Sequence, residues 1–289
     1  MKEDIKLFLD YLIREKKYSQ NTLAAYSNDL NQLAAYVDSH GSKEGHNPAV
    51  VELNAELLSG YMGTLKEKRY STSTVARKVA AAKTFLKFMV DKGKLKSDLM
   101  SSLASPQVNK PLPQPLTVSE VRRFLAEPSK RSTLEAKRNK SMLELLYTTG
   151  LRVSELMSLN VEDIKLGAGS VRCVGKNARE RIVPIDPHTA QIMKEYIDTD
   201  RTELLRNEEE TALFLNRRGE RLTRQGFWQI VQGYADKAGL SGKVTPRSLR
   251  HSFAIHKLKG GADLQSVKEL LGHAHISTTK TYNQVNFRA

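Results

Sequence analysis

The residue types best suited to chemistry are cationic and imidazole side chains in the second half of the chain, together with one tyrosine near its end. They are Arg152, Lys176, Arg250, His273 and Tyr282. Each has an ordinary explanation when it is taken alone. An arginine in a basic chain is usually a solvated surface group, a histidine at a helix end is usually a hydrogen-bonded structural residue, and a tyrosine usually packs its ring against a core.

The combination of these side chains indicates phosphoryl-transfer chemistry. Transesterification of a phosphodiester needs a nucleophilic oxygen, guanidinium donors for the non-bridging oxygens and an acid for the leaving 5′-oxygen. Arginine suits the phosphate because its planar fork donates two parallel hydrogen bonds, and a lysine can supply the proton. Without a metal or a nucleotide, the energy of the broken bond must be kept in a covalent link, and tyrosine is a suitable carrier.

Other familiar sites are excluded by their spacing. The segment Gly175–Asn177 lacks the Ser/Thr that a Walker A motif needs after its lysine. His273 and His275 are two residues apart, no H-E-x-x-H segment occurs, and no cluster of carboxylates suggests a two-metal nuclease. The single cysteine, Cys173, excludes an internal disulfide framework and a multi-cysteine zinc site. The sequence therefore predicts neither a metal nor another cofactor.

The charge balance favours a polyanionic partner. The 289 residues include 46 Lys and Arg against 32 Asp and Glu, a formal net charge of +14. Nucleic acid is the first candidate, and a merely basic soluble protein is the alternative. The N-terminal residues lack the apolar segment of a signal peptide, and no uncharged apolar stretch approaches the ~20 residues that cross a bilayer. We therefore expect a cytoplasmic, nucleoid-associated protein without a membrane partner.

A segment with four prolines divides the chain in two, in keeping with a typical domain size of about 150 residues. Four amphipathic helices are predicted in the first hundred residues, a pattern typical of a helical bundle. The prolines favour an extended linker, and a capping box at Thr117-x-x-Glu120 begins a new folding unit. We predict a first domain over 1–105, a linker over 106–115 and a second domain over 116–289.

The second domain is predicted to be mainly helical, with one β-hairpin. Its strands, Ser170–Val174 and Arg181–Ile185, are rich in β-branched residues and are separated by a short polar turn that contains Lys176. The predicted helix caps are Thr223, Thr245, Asp263 and Ser277. The predicted helices cover 119–127, 139–149, 154–159, 187–198, 223–238, 246–259, 263–271 and 277–283.

Six ordered motifs resemble the tyrosine site-specific recombinases of the phage integrase family, most closely the Xer type. The motifs are Tyr18–Thr22, Thr149–Leu156, Gly175–Arg181, Thr245–Ala254, Leu271–His273 and Ile276–Tyr282. The resemblance covers essentially the whole chain. It implies an N-terminal SAM-like four-helix core-binding domain, followed by a catalytic domain of the α+β class that is mainly helical and contains a small β-sheet.

The resemblance also implies catalytic roles for single residues. Arg152 and Arg250 would bind the scissile phosphate, Lys176 would act as general acid, and His273 would hydrogen-bond a non-bridging oxygen. Tyr282 would attack the phosphorus and form a 3′-phosphotyrosyl link. Glu155, three residues after Arg152 and on the same helical face, would orient the site without touching the phosphate.

By the same resemblance, several polar residues are candidates for DNA contacts. Arg224 and Gln225, at the start of a predicted helix, would contact the major groove or the phosphates. Weaker candidates lie in the fourth N-terminal helix: Thr72, Arg77, Lys78 and Lys83. For all of these residues, a solvated polar helix face is the alternative interpretation.

One position departs from the family pattern in its chemistry. Arg247, three residues before Arg250, stands where the family usually has histidine. A guanidinium keeps its charge and cannot accept the tyrosine proton, whereas a neutral imidazole can. His251, one turn beyond Arg247, is an alternative acceptor, although family members often carry histidine there for structural reasons. We therefore hypothesise that the protein cleaves DNA more slowly than a version with histidine at position 247.

The function predicted from the sequence is site-specific DNA strand exchange without a cofactor, in the Xer-like resolution of chromosome or plasmid dimers. The expected assembly is a homo- or hetero-tetramer on two recombination sites, because two duplexes exchange four strands and each protomer carries one nucleophile. A DNA translocase is a further candidate partner. The alternatives are a transposon or phage integrase of the same family, a type IB topoisomerase-like relaxing enzyme, and a catalytically impaired DNA-binding or architectural protein.

Overall fold

A computed structural model describes residues 1–40, 53–95, 99–108, 114–175 and 180–284. The chain divides between residues 110 and 111 into two units, each with its own internal packing. This division lies within the segment 106–115 that the prolines predict to be a linker. None of the helices in the described ranges is long and apolar enough to cross a membrane.

The first unit consists of helices whose ends are set by polar caps. Asn54 precedes α3 and accepts a hydrogen bond from the backbone nitrogen of Leu57 at 2.8 Å, and Ser71 accepts one from Thr74 ahead of α4. The core contains the fully buried rings of Phe8 and Phe85. The four helices are α1 (Lys2–Arg14), α2 (Gln20–His40), α3 (Ala55–Glu67) and α4 (Thr72–Asp91), followed by a 3-10 turn at Met100–Ser102.

The second unit is built around α6, which is buried along much of its length because Leu143, Leu145 and Leu146 all point into the core. Its helices are α5 (Val118–Ala126), α6 (Leu134–Thr149), α7 (Val153–Ser158), α8 (Pro187–Glu195), α9 (Arg201–Leu204), α10 (Arg224–Lys237), α11 (Pro246–Lys259), α12 (Leu264–Leu271) and α13 (Ile276–Lys280). A π-helical turn at Tyr196–Asp200 joins α8 to α9, and a 3-10 turn at Thr281–Gln284 follows α13.

Three antiparallel strands form a small sheet in the order β1-β2-β3. They are β1 (Ile164–Lys165), β2 (Ser170–Val174) and β3 (Glu180–Pro184). Val171 pairs with Val183 and Cys173 with Arg181, so these residues share the face that packs on the core. The hairpin predicted from the sequence is present, with its second strand one residue earlier than predicted, and the two-residue β1 is an addition.

Candidate active site

Arg152 is positioned by the sharp end of α6. Gly150 ends this helix with a φ of +61°, the left-handed conformation that favours glycine. A Cβ atom there would also lie 2.6 Å from Cε1 of Phe253, so no side chain fits. The chain turns at this glycine and starts α7 directly after Arg152, whose backbone nitrogen donates to Oε2 of Glu155 at 2.8 Å.

Glu155 is a buried carboxylate, only 4 % exposed, to which two arginine side chains donate hydrogen bonds. Nη1 of Arg152 donates to Oε1 at 2.8 Å, and Arg181 donates through both terminal nitrogens at 2.9 and 2.8 Å. Burial alone raises the pKa of Glu155, but the hydrogen bonds from Arg181 and Arg152 outweigh it and lower the pKa to about 2. Glu155 is therefore ionised at neutral pH and fixes the guanidinium planes.

Arg181 was not among the site residues predicted from the sequence. It is the last residue of the motif Gly175–Arg181, but its position in the sequence does not show that its side chain reaches Glu155. In the structure it also donates from Nε to the backbone oxygen of Leu270 at 2.9 Å, which ties β3 to α12. The one feature of the sequence that could have identified Arg181 as a site residue is its place in that motif.

Arg250 is held by backbone oxygens at the ends of two helices. It lies in α11, which begins after Thr245 with Pro246 at its first position. Nη1 donates to the backbone oxygen of Gly150 at 2.5 Å and Nη2 to that of Leu271 at 2.6 Å. Burial and the neighbouring Arg152 lower the pKa of Arg250 to about 10, which still leaves the guanidinium charged at neutral pH.

His273 is brought to the same place by the end of α12. Gly272 has a φ of +62°, and its backbone oxygen accepts a hydrogen bond from Nη2 of Arg152 at 3.0 Å. Nδ1 of His273 is hydrogen-bonded to Oγ1 of Thr279 at 2.9 Å, so Nε2 is the nitrogen that can meet a substrate. Burial, Arg250 and Arg152 lower the pKa of His273 to about 4, and the ring is neutral at pH 7.

Tyr282 is 5 % exposed and lies between two imidazole rings. Its ring centroid is 6.3 Å from that of His273, with the planes nearly parallel. Its Oη is 2.8 Å from Nδ1 of His251, and Nε2 of His251 accepts a hydrogen bond from Nε of Arg247 at 3.0 Å. Burial raises the pKa of Tyr282, while the charges of Arg250, Arg247 and Arg152 oppose that rise.

The structure thus brings together most of the side chains that the sequence singled out. Arg152, Arg250, His273 and Tyr282 surround one region of the second unit. Glu155 and His251 contact members of this set directly, and Arg247 contacts His251. Lys176 lies outside the described residues. Across the described ranges, no group of three or more His, Cys, Asp or Glu side chains is placed to hold a metal ion.

The predicted DNA contacts of the second unit lie on another element, the first turn of α10. Thr223 caps this helix by accepting from the backbone nitrogen of Gly226 at 3.0 Å. Arg224 and Gln225 are both exposed in the first turn. One turn later, Trp228 is 53 % exposed, which is unusual for the largest apolar side chain.

The predicted contacts in α4 differ in their surroundings. Thr72 is exposed, Lys83 is half-buried, and Arg77 forms an ion pair with Asp29 while its side chain stays 41 % exposed. The prediction for Lys78 is wrong, because its side chain lies in the interior of the first unit. Its Nζ donates to Oδ1 of Asp29 at 3.0 Å and to Oε1 of Gln32 at 2.6 Å.

The burial of Lys78 follows from its place on the helix. Residues three and four apart share a helix face, and Val75, Lys78 and Ala82 are such a set, with the first and last in the core. The ammonium group also lies 5.0 Å from the ring centroid of Tyr70. Lys78 is therefore a structural residue that joins α4 to α2, and it is unavailable to DNA.

Comparisons with known proteins show what the chain is similar to. The "Phage integrase family" model matches residues 114–289, and the "Phage integrase, N-terminal SAM-like domain" model matches residues 5–93. The tyrosine recombinase XerC of Roseiflexus sp. (strain RS-1) is 46 % identical over 288 residues, covering 99 % of this chain and 90 % of the relative. The tyrosine recombinase XerD of Oceanobacillus iheyensis (strain DSM 14371 / CIP 107618 / JCM 11309 / KCTC 3954 / HTE831) is 41 % identical, covering 97 % and 93 %.

Among solved structures, the XerH site-specific recombinase bound to difH substrate matches with a TM-score of 0.73 over 98 % of this chain and 91 % of that one. Its identity of 23 % makes this a likeness of fold. The chain therefore belongs to the phage integrase family. It is a DNA recombinase, and its activity is site-specific tyrosine recombination. The family, the activity and the mainly helical fold predicted from the sequence are confirmed.

Proposed function

We propose that Tyr282 is the nucleophile of this recombinase and that Arg152, Arg250 and His273 bind the scissile phosphate. The observation that carries this proposal is the arginine pair held by the ends of α6 and α12, with Tyr282 and His273 beside it. Two fixed guanidiniums supply positive charge where the transition state of phosphoryl transfer is most negative. A preorganised site of this kind needs little rearrangement when the phosphate arrives.

The proposed reaction has two balanced halves. In cleavage, Oη of Tyr282 loses its proton to a solvent water and forms a bond to phosphorus. The bond from phosphorus to the 5′-oxygen breaks, and the leaving oxygen takes a proton from Lys176. The role of Lys176 rests on the family resemblance. In rejoining, the 5′-hydroxyl of another strand attacks the 3′-phosphotyrosyl link and returns its proton to Lys176. The phenol oxygen is released and regains a proton from solvent.

Glu155 and Arg181 act in this proposal as positioning residues. Glu155 accepts from Arg152 and Arg181, and its Oε2 is 3.9 Å from Nη1 of Arg250. One carboxylate among three guanidiniums keeps their mutual repulsion from driving them apart and leaves a net positive charge for the phosphate. Neither residue needs to touch the substrate.

DNA recognition is assigned to surfaces outside the reacting centre. In the second unit, Arg224 and Gln225 lie at a helix N-terminus, where the helix dipole and the exposed backbone N–H groups favour phosphate. In the first unit, Thr72, Arg77 and Lys83 remain candidates, whereas Lys78 does not. The net charge of +14 of the whole chain supports binding of duplex DNA.

We assign the protein to Xer-like resolution of chromosome or plasmid dimers, acting on DNA in the cytoplasm. The identity of 46 % to a XerC and 41 % to a XerD recombinase, over nearly the whole chain, supports this role. The proposed active form is a homo- or hetero-tetramer on two sites, with a DNA translocase as a candidate partner.

Trapping of the covalent protein–DNA complex on nicked duplexes tests the proposed chemistry and identifies the target sequence in one experiment. A nick close to the cleavage point lets the short 5′-hydroxyl fragment diffuse away, so the covalent complex accumulates. We expect the wild type to form adducts on a library of nicked genomic fragments and the adducts to share one sequence motif. Tyr282→Phe is the control and should bind DNA without forming adducts. Binding by the wild type without any adduct would overturn the proposal.

A further inference from the structure

The hydrogen bonds of His251 fix the position of its ring proton. Nε of Arg247 lies 3.0 Å from Nε2 of His251, and a guanidinium can only donate. Nε2 must therefore present a lone pair, which makes the ring neutral and puts its single proton on Nδ1. Nδ1 lies 2.8 Å from Oη of Tyr282, so the proton points at the phenol oxygen.

This direction of donation decides what His251 can do for the nucleophile. An imidazole whose Nδ1 already carries a proton cannot accept another proton there. It can instead donate a hydrogen bond to the phenol oxygen, and such a bond strengthens as negative charge develops on that oxygen. The burial of the ring and the charges of Arg247 and Arg250 also disfavour a charged imidazolium, and the pKa of His251 is lowered to about 4.

We infer that Arg247 is a positioning residue that fixes the Nδ1–H tautomer of His251, and that His251 thereby donates to Tyr282 and stabilises its phenolate instead of taking its proton. The inference rests on the proposed role of Tyr282 as nucleophile. It replaces the expectation from the sequence that His251 is an alternative acceptor of the phenol proton.

The proton balance of the attack follows from this assignment. As Oη forms its bond to phosphorus, the phenol proton passes to a solvent water, while the ring proton of His251 stays on Nδ1. The leaving 5′-oxygen is protonated separately, by Lys176 in the proposed mechanism. Arg247 stands where the family usually has histidine. The site thus has, in place of a proton acceptor, a charged group that orients the neighbouring imidazole.

The tautomer is directly measurable by nitrogen NMR on the full chain labelled with 15N at its seven histidines. The two ring nitrogens of a neutral histidine have well-separated shifts that show which one carries the proton. His251→Asn identifies the signals of His251 by their disappearance. At neutral pH we expect a protonated Nδ1 and an unprotonated Nε2. A protonated Nε2, or a ring protonated on both nitrogens, would overturn the inference.

Variants at position 247 test whether the arginine sets this state. Arg247→Met keeps a long apolar stem and removes the donor, so we expect the signals of His251 to move toward a mixture of both tautomers. Arg247→Lys restores a donor of the same charge and should return the signals toward those of the wild type. Unchanged signals in Arg247→Met would show that the tautomer does not depend on Arg247.

A pair of substitutions at His251 separates donation from proton acceptance. The side-chain nitrogen of Asn in His251→Asn can take the place of Nδ1 as a donor, whereas the carboxylate of His251→Asp can only accept. We expect covalent complex to form within about tenfold of the wild-type rate in His251→Asn and at least tenfold more slowly still in His251→Asp. Equal rates, or a faster His251→Asp, would contradict the inference.

The two kinds of measurement keep the inference separate from the proposed function. If the wild type forms no covalent complex on any DNA, the nucleophile assignment fails, but the NMR spectrum still reports the tautomer. If both variants at His251 lose their cooperative thermal transition, His251→Gln identifies the signals of His251 in their place, and the tautomer is then read from the spectrum of the wild type.

Discussion

At the scale of single residues, the site depends on charges that hold one another in place. Glu155 is the only carboxylate that the described contacts place among Arg152, Arg181 and Arg250. Removing one partner from such a buried cluster costs more free energy of unfolding than removing one partner of a surface ion pair, because it leaves buried charges without compensation.

Glu155→Gln keeps the shape of the side chain and removes its charge. We expect a loss of about 3 kcal/mol in the free energy of unfolding, measured by urea denaturation, and at least about a hundredfold slower formation of covalent complex. Glu180→Gln is the matched control, because its carboxylate is exposed and lies 3.5 Å from Arg172 on the same unit. Similar small effects in both variants would contradict the positioning role of Glu155.

The contribution of Glu155 to stability should depend on pH in one direction. Burial alone raises its pKa, but the arginine hydrogen bonds lower the value from 4.5 to about 2 in the folded state. A carboxyl with a lowered pKa stabilises the fold above its unfolded pKa, and the effect is lost as the pH falls through the folded value. The difference in unfolding free energy between wild type and Glu155→Gln should therefore be constant near neutrality and shrink below about pH 4.5. A difference that grows on acidification would be inconsistent with this linkage.

Arg247→His tests the departure from the family pattern. A neutral imidazole at position 247 can accept the phenol proton, which a guanidinium cannot do. General base catalysis of this kind typically gives factors of about a hundred or more, which exceeds the loss of about tenfold expected when Arg247 no longer orients His251. We therefore expect at least a tenfold faster covalent complex on a nicked duplex. An unchanged rate and yield would show that proton removal from Tyr282 does not limit cleavage.

At the scale of helices and strands, the helix that we assign to DNA recognition is not one of those that carry the proposed catalytic side chains. α10 presents Arg224 and Gln225 at its N-terminus, and Arg221 just before it donates from Nη1 to the backbone oxygens of Met157 and Leu159 at the end of α7. These hydrogen bonds join α7, which begins directly after Arg152, to the start of α10, the helix to which we assign DNA contacts. We therefore expect DNA bound at the reacting centre to pass close to α10.

Trp228 offers a direct report on this assignment, because it is the only tryptophan of the chain. We expect duplex DNA carrying the target site to change its emission and to protect it from quenching by acrylamide. Arg224→Ala should weaken binding and lower the slope of log affinity against log salt by about 1. Lys237→Ala, at the other end of the same helix, is the control. Full access of acrylamide to Trp228 in a saturated complex would contradict the assignment.

Local signals in the sequence predict the elements of this fold well and their tertiary contacts poorly. The capping box of Thr117 and Glu120 is present as expected, because both hydrogen bonds lie within four residues. The predicted helix 187–198 instead ends at Glu195 and continues as a π-helical turn, which the helical period does not reveal. The short strand β1 was missed because two residues carry no periodicity.

The same distinction holds within the site. Arg152, Arg250, His273 and Tyr282 were predicted because they stand in recognisable motifs, and the structure brings them together. The bond of Arg181 to Glu155 joins residues 26 apart, and the bond of Lys78 to Asp29 joins residues 49 apart. Contacts of this range depend on how the elements pack, so the sequence pattern missed Arg181 and misplaced Lys78 on the surface.

At the scale of the whole molecule, the proposed exchange needs more than one copy. A single protomer carries one Tyr282, whereas two duplexes exchange four strands. We therefore expect sedimentation of the protein with duplexes of the target site to show a complex of four protomers and two duplexes. Recombinant products formed in complexes of one duplex and two protomers would rule out the tetramer as the active form.

In the proposed mechanism, Tyr282 becomes joined to the 3′ end of a cleaved strand. Proteolysis of the trapped adduct and mass spectrometry of the nucleotide-bearing peptide test this claim most directly, with a kinase assay on the released strand. We predict a nucleotide attached to Tyr282 through its 3′-phosphate and a free 5′-hydroxyl that accepts phosphate without prior treatment. A nucleotide on any other residue, or a released strand with a blocked 5′ end, would contradict it.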